Sequence, residues 1–194
     1  KQKVFVNLAT NYPATGAVGL KLQLAKPETF SISIRIPSWS AQTALMINGQ
    51  PQSPPSGGQY FTITRTWSPG DHIAVNLDMR GRLVYSGNGA QHFAVQYGPL
   101  VLARDSRLGA PDTDEALIPV AGKDGYINLE PFEANNSTFW VAFKALVKTE
   151  SHKEGPADPV RVLLCDYASA GNTYSDASRF RVWIPLLFEP RYVK

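Results

Sequence analysis

The 194 residues, 43% hydrophobic and 18% charged, suffice for one medium domain or two small ones with a real core, which excludes a disordered chain. A single cysteine, Cys165, excludes an internal disulfide and a thiolate zinc cage, and no apolar run approaches the ~18 residues of a membrane helix. The net charge of +3 is uneven, with eight Lys/Arg against three Asp/Glu in residues 1–85 and eleven against thirteen in residues 86–194. Lys3, Lys21, Lys26, Arg35, Arg65, Arg80 and Arg82 stand singly among apolar neighbours. A nucleic-acid site wants such charges clustered and interleaved with exposed aromatics, so they read as solvated strand faces and no nucleic-acid partner is expected.

The chain opens on an alternating stretch, Lys1 to Leu8, which reads as a strand and not as a leader; no targeting segment is expected. Val18, Leu20, Leu22 and Leu24 then alternate with Gly19, Lys21 and Gln23, and Phe30, Ile32, Ile34 and Ile36 with Ser31, Ser33 and Arg35. A period of two puts one face on a core and the other in water. Ile36-Pro37 ends a strand, because proline has no N–H for the ladder. Asn48-Gly49 suits a tight hairpin with positive φ. Phe61 and Ile63 alternate with Thr62 and Thr64, and Pro69-Gly70-Asp71 makes the next turn.

The Gly-rich stretch Ser86–Ala90 coincides with the change of charge balance, so the chain is divided there into two sandwiches, 1–85 and 86–194. Phe93–Tyr97 is a strand, and Gly98-Pro99 is read as a bulge or sheet switch before Leu100–Ala103 resumes it. Residues 105–137, rich in Asp, Pro, Gly and Asn, read as a long connection with one hairpin near Asp124-Gly125. Thr138–Lys148 half fits a helix, but its β-branched and aromatic content favours a strand. Phe180, Val182 and Ile184 alternate as a final strand. The pattern predicts an all-β chain of at least twelve strands in two antiparallel β-sandwich domains of jelly-roll or Ig-like packing, with little or no helix. Leu20, Leu22, Ile32, Ile34, Ile63, Val95, Val182 and Ile184 are its expected inward-facing residues.

Residues that could carry chemistry are few. His72, His92 and His152 are widely separated and belong to no metal-ligand pair. Asp112, Asp114 and Glu115 resemble part of a calcium loop but lack its glycine and distal glutamate, and read as a solvated acidic loop. Cys165 lies in the apolar run Val160–Cys165, where a thiol acts as a small hydrophobe with a raised pKa. Asp71, Asp78, Glu130 and Glu133 are near turns and expected to be solvated, unlike the carboxylate pair of a glycosidase. Gly87-Asn88-Gly89 has no Lys-Ser/Thr after it, which leaves a hairpin turn and no phosphate loop. Asn135 and Asn136 begin overlapping glycosylation sequons. No residue is therefore expected to be catalytic, cofactor-binding or metal-ligating.

Aromatics make up 11% of the chain, and an exposed ring can stack on a sugar. Trp39 and Trp67, both at strand ends beside loops, are the candidate carbohydrate-contacting residues, although a two-sheet core commonly absorbs one or two tryptophans.

Several segments together resemble a known family. They are Leu8-Ala-Thr-Asn-Tyr-Pro-Ala-Thr-Gly16, the run from Phe30 to Trp39, Met46-Ile-Asn-Gly49, Tyr60 to Trp67 with Gly70-Asp71, and Asn76-Leu-Asp-Met79. Tyr97-Gly-Pro-Leu-Val-Leu-Ala103 and the end, Leu163 to Ile184 with Tyr167 and Arg181-Val-Trp-Ile184, complete the set. The whole resembles the region after the catalytic barrel in glycoside hydrolase family 127, the β-L-arabinofuranosidase family. The resemblance implies an (α/α)6 barrel followed by two β-sandwich domains, of which this chain is similar to the sandwiches alone. It implies retaining hydrolysis by a cysteine nucleophile and a glutamate acid/base, with a zinc ion held by cysteines and a glutamate, all in the barrel. No such residue maps onto Cys165 or any other position here. The expected role is a non-catalytic C-terminal module whose partner is the catalytic barrel of the same parent polypeptide, with no cofactor and no membrane partner. The alternative is a carbohydrate-binding module using exposed aromatics. The chain is expected to be soluble; its compartment is left open, a periplasmic or secreted parent included.

Overall fold

The protein was analysed as a computed structural model, which describes residues 2–53, 56–87, 89, 91–133, 138–149 and 158–187. Asn88, Ala90, the sequon residues Asn135 and Asn136, and His152 lie outside the described residues. Among the described residues the chain forms seventeen strands and two single-turn 3-10 segments, Ser106–Leu108 and Asp176–Ser178. The expected all-β class of antiparallel sheets is what the structure has. The chain divides into two compact units, Lys1–Met79 and Arg80–Lys194.

The first unit contains β1 (Phe5–Thr10), β2 (Ala17–Gln23), β3 (Glu28–Arg35), β4 (Ala44–Ile47), β5 (Gln50–Pro51), β6 (Tyr60–Trp67) and β7 (His72–Asn76). Five of them form a sheet in the order β1-β2-β7-β4-β5, and β3 and β6 form a separate pair. The two layers share a core of Leu22, Leu45, Ile47, Ile63, Trp67, Ile73 and Val75, with Phe30, Ile32, Ile34 and Phe61 packed against it. Two strands are narrower than five. The core covers β2, β7 and β4 and includes nothing from β1.

The turns of this unit follow their residue types. Asn48 sits at φ 50° between β4 and β5, as the hairpin requires. Its side chain reaches beyond the hairpin: Nδ2 donates to Asp71 Oδ1 (2.9 Å) and Oδ1 accepts from the His72 N–H (2.9 Å). Asp71 also accepts from the Ser68 N–H (3.0 Å), so one carboxylate ties two turns together. Asp71 and Asp78 are each only 9% exposed, which corrects their expected solvation. Burial follows from use, since Asp71 caps a turn and Asp78 accepts from the Gln42 N–H. Glu130 and Glu133 are exposed as expected.

The second unit contains β8 (Gly81–Tyr85), β9 (His92–Tyr97), β10 (Leu100–Asp105), β11 (Ile118–Pro119), β12 (Tyr126–Ile127), β13 (Glu130–Pro131), β14 (Ala142–Lys148), β15 (Val160–Asp166), β16 (Phe180–Arg181) and β17 (Ile184–Pro185). Its sheet runs β11-β14-β15-β10-β9-β8-β12, with β13, β16 and β17 paired to β14, β10 and β9. A parallel bridge between Leu117 and Leu186 joins the start of β11 to the end of β17. The Leu117 N–H donates to the Pro185 carbonyl (2.9 Å) and the Leu187 N–H to the Leu117 carbonyl (3.0 Å). The path β11-β14-β15-β10-β9-β17 therefore returns to β11 and closes as a ring. Phe93, Val95, Leu102, Leu117, Phe143, Val162, Leu164 and Ile184 form its core. The facing layers of this unit are one sheet folded onto itself.

Three expectations need correction. The division of the chain falls before β8, not after residue 85, because β8 pairs along its whole length with β9. Gly98-Pro99 is neither a bulge nor a sheet switch. Tyr97 and Leu100 pair directly, so these two residues are a hairpin turn, with Gly98 at φ 53° and proline second, the order of a type II′ turn. The run 180–184 is not one strand: β16 pairs with β10, the chain bends at 182–183, and β17 pairs with β9. Of the expected inward residues, Leu22, Ile63, Val95 and Ile184 are buried, and Leu20, Ile32, Ile34 and Val182 are half-buried.

Candidate functional site

The outer side of β10 and β15 carries Ala103 and Cys165, and a layer of loop covers both. Buried carboxylates hold that layer in place. Asp166 accepts from the Val141 N–H (3.1 Å), the Ser169 N–H (2.9 Å) and the Ser169 hydroxyl (2.9 Å). Asp105 takes Arg107 in a two-pronged pair, Nε at 2.8 Å and Nη2 at 2.7 Å, and also the Gly171 N–H at 2.9 Å. Burial alone would raise the Asp105 pKa, but these donors outweigh it and hold the carboxyl below its usual range. Gly171 has no room for a side chain, since a Cβ there would lie 2.5 Å from the Phe180 ring.

Arg104, 3% exposed, points the other way. Its guanidinium donates to the carbonyls of Pro111 (2.6 Å), Asp112, Thr113 (3.4 Å) and Glu115 (3.1 Å), which wraps residues 111–115 around one side chain. Burial lowers its pKa. The wrapped loop presents Asp112 and Asp114 outward to Arg179 and Arg181. Arg179 pairs with Asp112 (3.2 Å) and Asp114 (3.7 Å), and Arg181 with Asp114 (2.6 Å). The Arg181 hydrogen bond is the main reason the Asp114 carboxyl is held low.

Between these two loops lies an open groove of about 620 Å³, bordered by Asp114, Tyr174, Ser175, Arg179, Phe180 and Arg181. Tyr174 is 96% exposed and held at φ 51°. Phe180 is 41% exposed, its ring centroid 5.7 Å from that of Tyr167. An exposed phenol ring beside half-exposed carboxylates and guanidinium groups can take a ligand with one apolar face and a polar rim.

The first unit has a different surface. On the outer side of its five-stranded sheet, Ala9, Gly19, Ala74 and Met46 lie in one cross-strand row, and Ala17, Asn76 and Ala44 in the next. The alanines and Gly19 of these rows leave a shallow trough of about 480 Å³, also lined by Met46 and Asn76. Beside it, β1 carries Phe5, Val6 and Leu8 at 58%, 51% and 63% exposure. Val6 and Leu8 pair with Leu22 and Leu20, so they stand on the core side of the sheet, past the reach of β3 and β6.

The candidates named from sequence fare unequally. Trp67 is fully buried, with Nε1 donating to the Phe30 carbonyl (3.0 Å), so it has no ring face for a sugar. Trp39 is half-buried. Cys165 is fully buried, and burial, reinforced by Asp105 and Asp166, pushes its thiol up to about 12. Asp112 and Asp114 engage arginines instead of converging on a cation site. Among the described residues no group of three or more His, Cys, Asp or Glu could hold a metal. No helix among them is long and apolar enough to cross a membrane. Sequence reasoning missed Arg104, Asp105, Asp166 and Tyr174. The one available signal was the charged cluster Arg104-Asp105-Ser106-Arg107, placed at the end of an apolar strand.

Residues 1–79, the whole first unit, match the family model described as "Beta-L-arabinofuranosidase, GH127 middle domain". No curated protein matches the chain. Among solved structures, one named "Glycoside hydrolase" superposes with a TM-score of 0.75 at 27% identity, over 95% of this chain and 32% of that one. The GH127 β-L-arabinofuranosidase of Geobacillus stearothermophilus T6 gives 0.70 at 20% identity, over 96% and 31%. A GH127 β-arabinofuranosidase gives 0.72 at 19%, over 96% and 32%. The last two show likeness of fold. The chain spans about a third of the length of the structures it matches.

Proposed function

We propose, from the match of residues 1–79 to the GH127 middle-domain model, that the chain is part of a GH127 protein and is a non-catalytic β-module seated against the catalytic barrel of its parent polypeptide. The observation that carries this reading is β1. A strand apolar on both faces, covered on neither and lying at the edge of its sheet is a surface that natural proteins otherwise pair or shield. The trough of small residues beside it lets a second backbone approach closely. Interfaces between domains of one chain bury roughly 600–1,500 Å² in total, and a strand plus an adjoining sheet face is on that scale.

The chemistry of the chain supports the non-catalytic half of the reading. Retaining hydrolysis needs a nucleophile and an acid/base group facing one bond. Asp71, Asp105 and Asp166 are occupied by backbone N–H groups, and the thiol of Cys165 stays protonated at neutral pH.

Val6→Lys with Leu8→Lys, placed in the parent polypeptide, tests the docking. Both sites are exposed at an edge, so the first unit keeps its fold. The expected result is a lower thermal transition of the catalytic domain and reduced turnover; unchanged turnover and melting would overturn the docking. The 194-residue chain alone, incubated with aryl arabinofuranosides, zinc and a reducing agent, is expected to release nothing, and equally little as Cys165→Ala. Turnover that survives repurification would overturn the non-catalytic reading.

A further inference from the structure

The groove of the second unit is a site of another kind, and we infer that it binds a neutral oligosaccharide, with Tyr174 as the stacking platform and the Asp114–Arg181 and Arg179 pairs as the hydroxyl-reading rim. A sugar ring presents C–H groups on its faces and hydroxyls on its edge. It needs a flat apolar surface next to planar donors and acceptors, and these groups supply that combination. Tyr174 is the most exposed large apolar side chain described, at 96%. It is held at φ 51°, a conformation that non-glycine residues adopt at a cost and that concentrates at ligand sites.

The surroundings are built for precision, not mobility. Phe180 is fixed by contact with Tyr167 and by the missing Cβ at Gly171. Gly171 itself is bound to Asp105, and the opposite wall is wrapped on Arg104. Supporting hydrogen bonds of this sort hold a binding surface in one geometry before the ligand arrives. The volume of about 620 Å³ falls within the ~300–1,000 Å³ common for small-ligand clefts.

Charge decides between neutral and acidic sugars. Arg179 and Arg181 are matched by Asp112 and Asp114, which leaves this exposed ion-pair cluster without net charge. Asp114 keeps oxygen lone pairs, and Arg181, bonded through Nε, keeps guanidinium N–H groups for hydroxyls. A uronate would meet a carboxylate for each guanidinium, so acidic sugars gain nothing here.

The glycan class rests partly on the proposed function, since a glycoside hydrolase is where a free sugar chain is at hand. The test separates the two because it uses the 194-residue chain without its parent. Isotope-labelled chain is titrated with arabino-, xylo- and galacto-oligosaccharides, and with oligogalacturonate as the acidic probe, while amide shifts are followed. The expected result is saturable shifts confined to residues 111–115 and 171–181 with at least one neutral probe. Tyr174→Ala weakens that binding at least tenfold, Arg181→Gln weakens it several-fold, and Tyr60→Ala in the first unit leaves it unchanged. Unaltered circular dichroism of each variant keeps loss of binding distinct from loss of fold. Silence toward every neutral probe overturns the inference, as do shifts centred elsewhere, equal affinity in Tyr174→Ala, or preference for the uronate. None of these outcomes affects whether β1 seats a barrel.

Discussion

At the scale of the residue, the side chains with the most structural consequence are polar ones whose partners lie far away in sequence. Asp105 joins Arg107 and the Gly171 backbone, so Asp105→Ala removes a buried acceptor from both and costs about 1–3 kcal/mol, measurable by urea unfolding. Asp71 and Asp105 both have folded pKa values below their ordinary 3.8. For Asp71 the Ser68 backbone donor is the main cause; for Asp105 the donors overcome burial. A carboxyl lowered by folding contributes fully above its unfolded pKa and loses that contribution as pH falls through the folded value. Stability is therefore expected to be flat from pH 7 to about 5 and to fall below about 4, and Asp71→Asn should flatten that acid limb. Trp67→Phe should cost about 1–3 kcal/mol, because the Phe30 carbonyl loses its buried donor. The inertness of Cys165 was legible from its apolar run. The roles of Asp105 and Asp166 were not, since hydrophobic periodicity says nothing about which backbone N–H arrives from another segment. Trp67 stays open between core and sugar contact in the sequence for a related reason: a position beside a turn does not reveal whether the ring points inward.

At the scale of the element, period-two alternation and turn chemistry located most strands. Asn48-Gly49 and Asp124-Gly125 turn where their residue types require. The outer face of β3 and β6 shows why the alternation was so clear. Thr29–Thr66, Ser31–Thr64 and Ser33–Thr62 form a ladder of hydroxyl pairs at 2.7–2.9 Å, while the intervening residues face the core. Such cross-strand pairs contribute a few tenths to 1 kcal/mol each. Gly98-Pro99 was misread because proline inside an apolar run signals interruption, and periodicity does not distinguish a bend from a reversal. Gly98→Ala places a side chain at φ 53° in the first turn position and is expected to destabilise by about 1–3 kcal/mol in thermal unfolding. The run 180–184 was misread because its alternation is real but serves two neighbours in succession, β10 and then β9.

At the scale of the whole molecule, the two units treat their edges differently. The second closes its sheet through Leu117 and Leu186; the first leaves β1 open. The isolated chain is accordingly expected to self-associate at high concentration, and Val6→Lys with Leu8→Lys to restore a monomer in sedimentation equilibrium. Leu117 is fully buried at the closure, and Leu117→Ala should cost about 2–5 kcal/mol. The all-β class could be read from sequence because it needs only local periodicity. Ring closure could not, since it depends on one bridge between residues 69 positions apart.

That bridge also sets a timetable for synthesis. The strand that completes the ring, β17, is the last of the ring strands to leave the ribosome, and both its neighbours, β9 and β11, precede it by more than sixty residues. Until Leu186 emerges, the nascent second unit holds two strand borders that cannot meet, and its earlier hairpins must wait partly wetted. A pause or truncation between the end of β15 and Leu186 would strand it in that state, where the unmet borders invite pairing with another chain. The first unit has no such dependence, because its last strand, β7, is complete at Asn76 and inserts at once between β2 and β4.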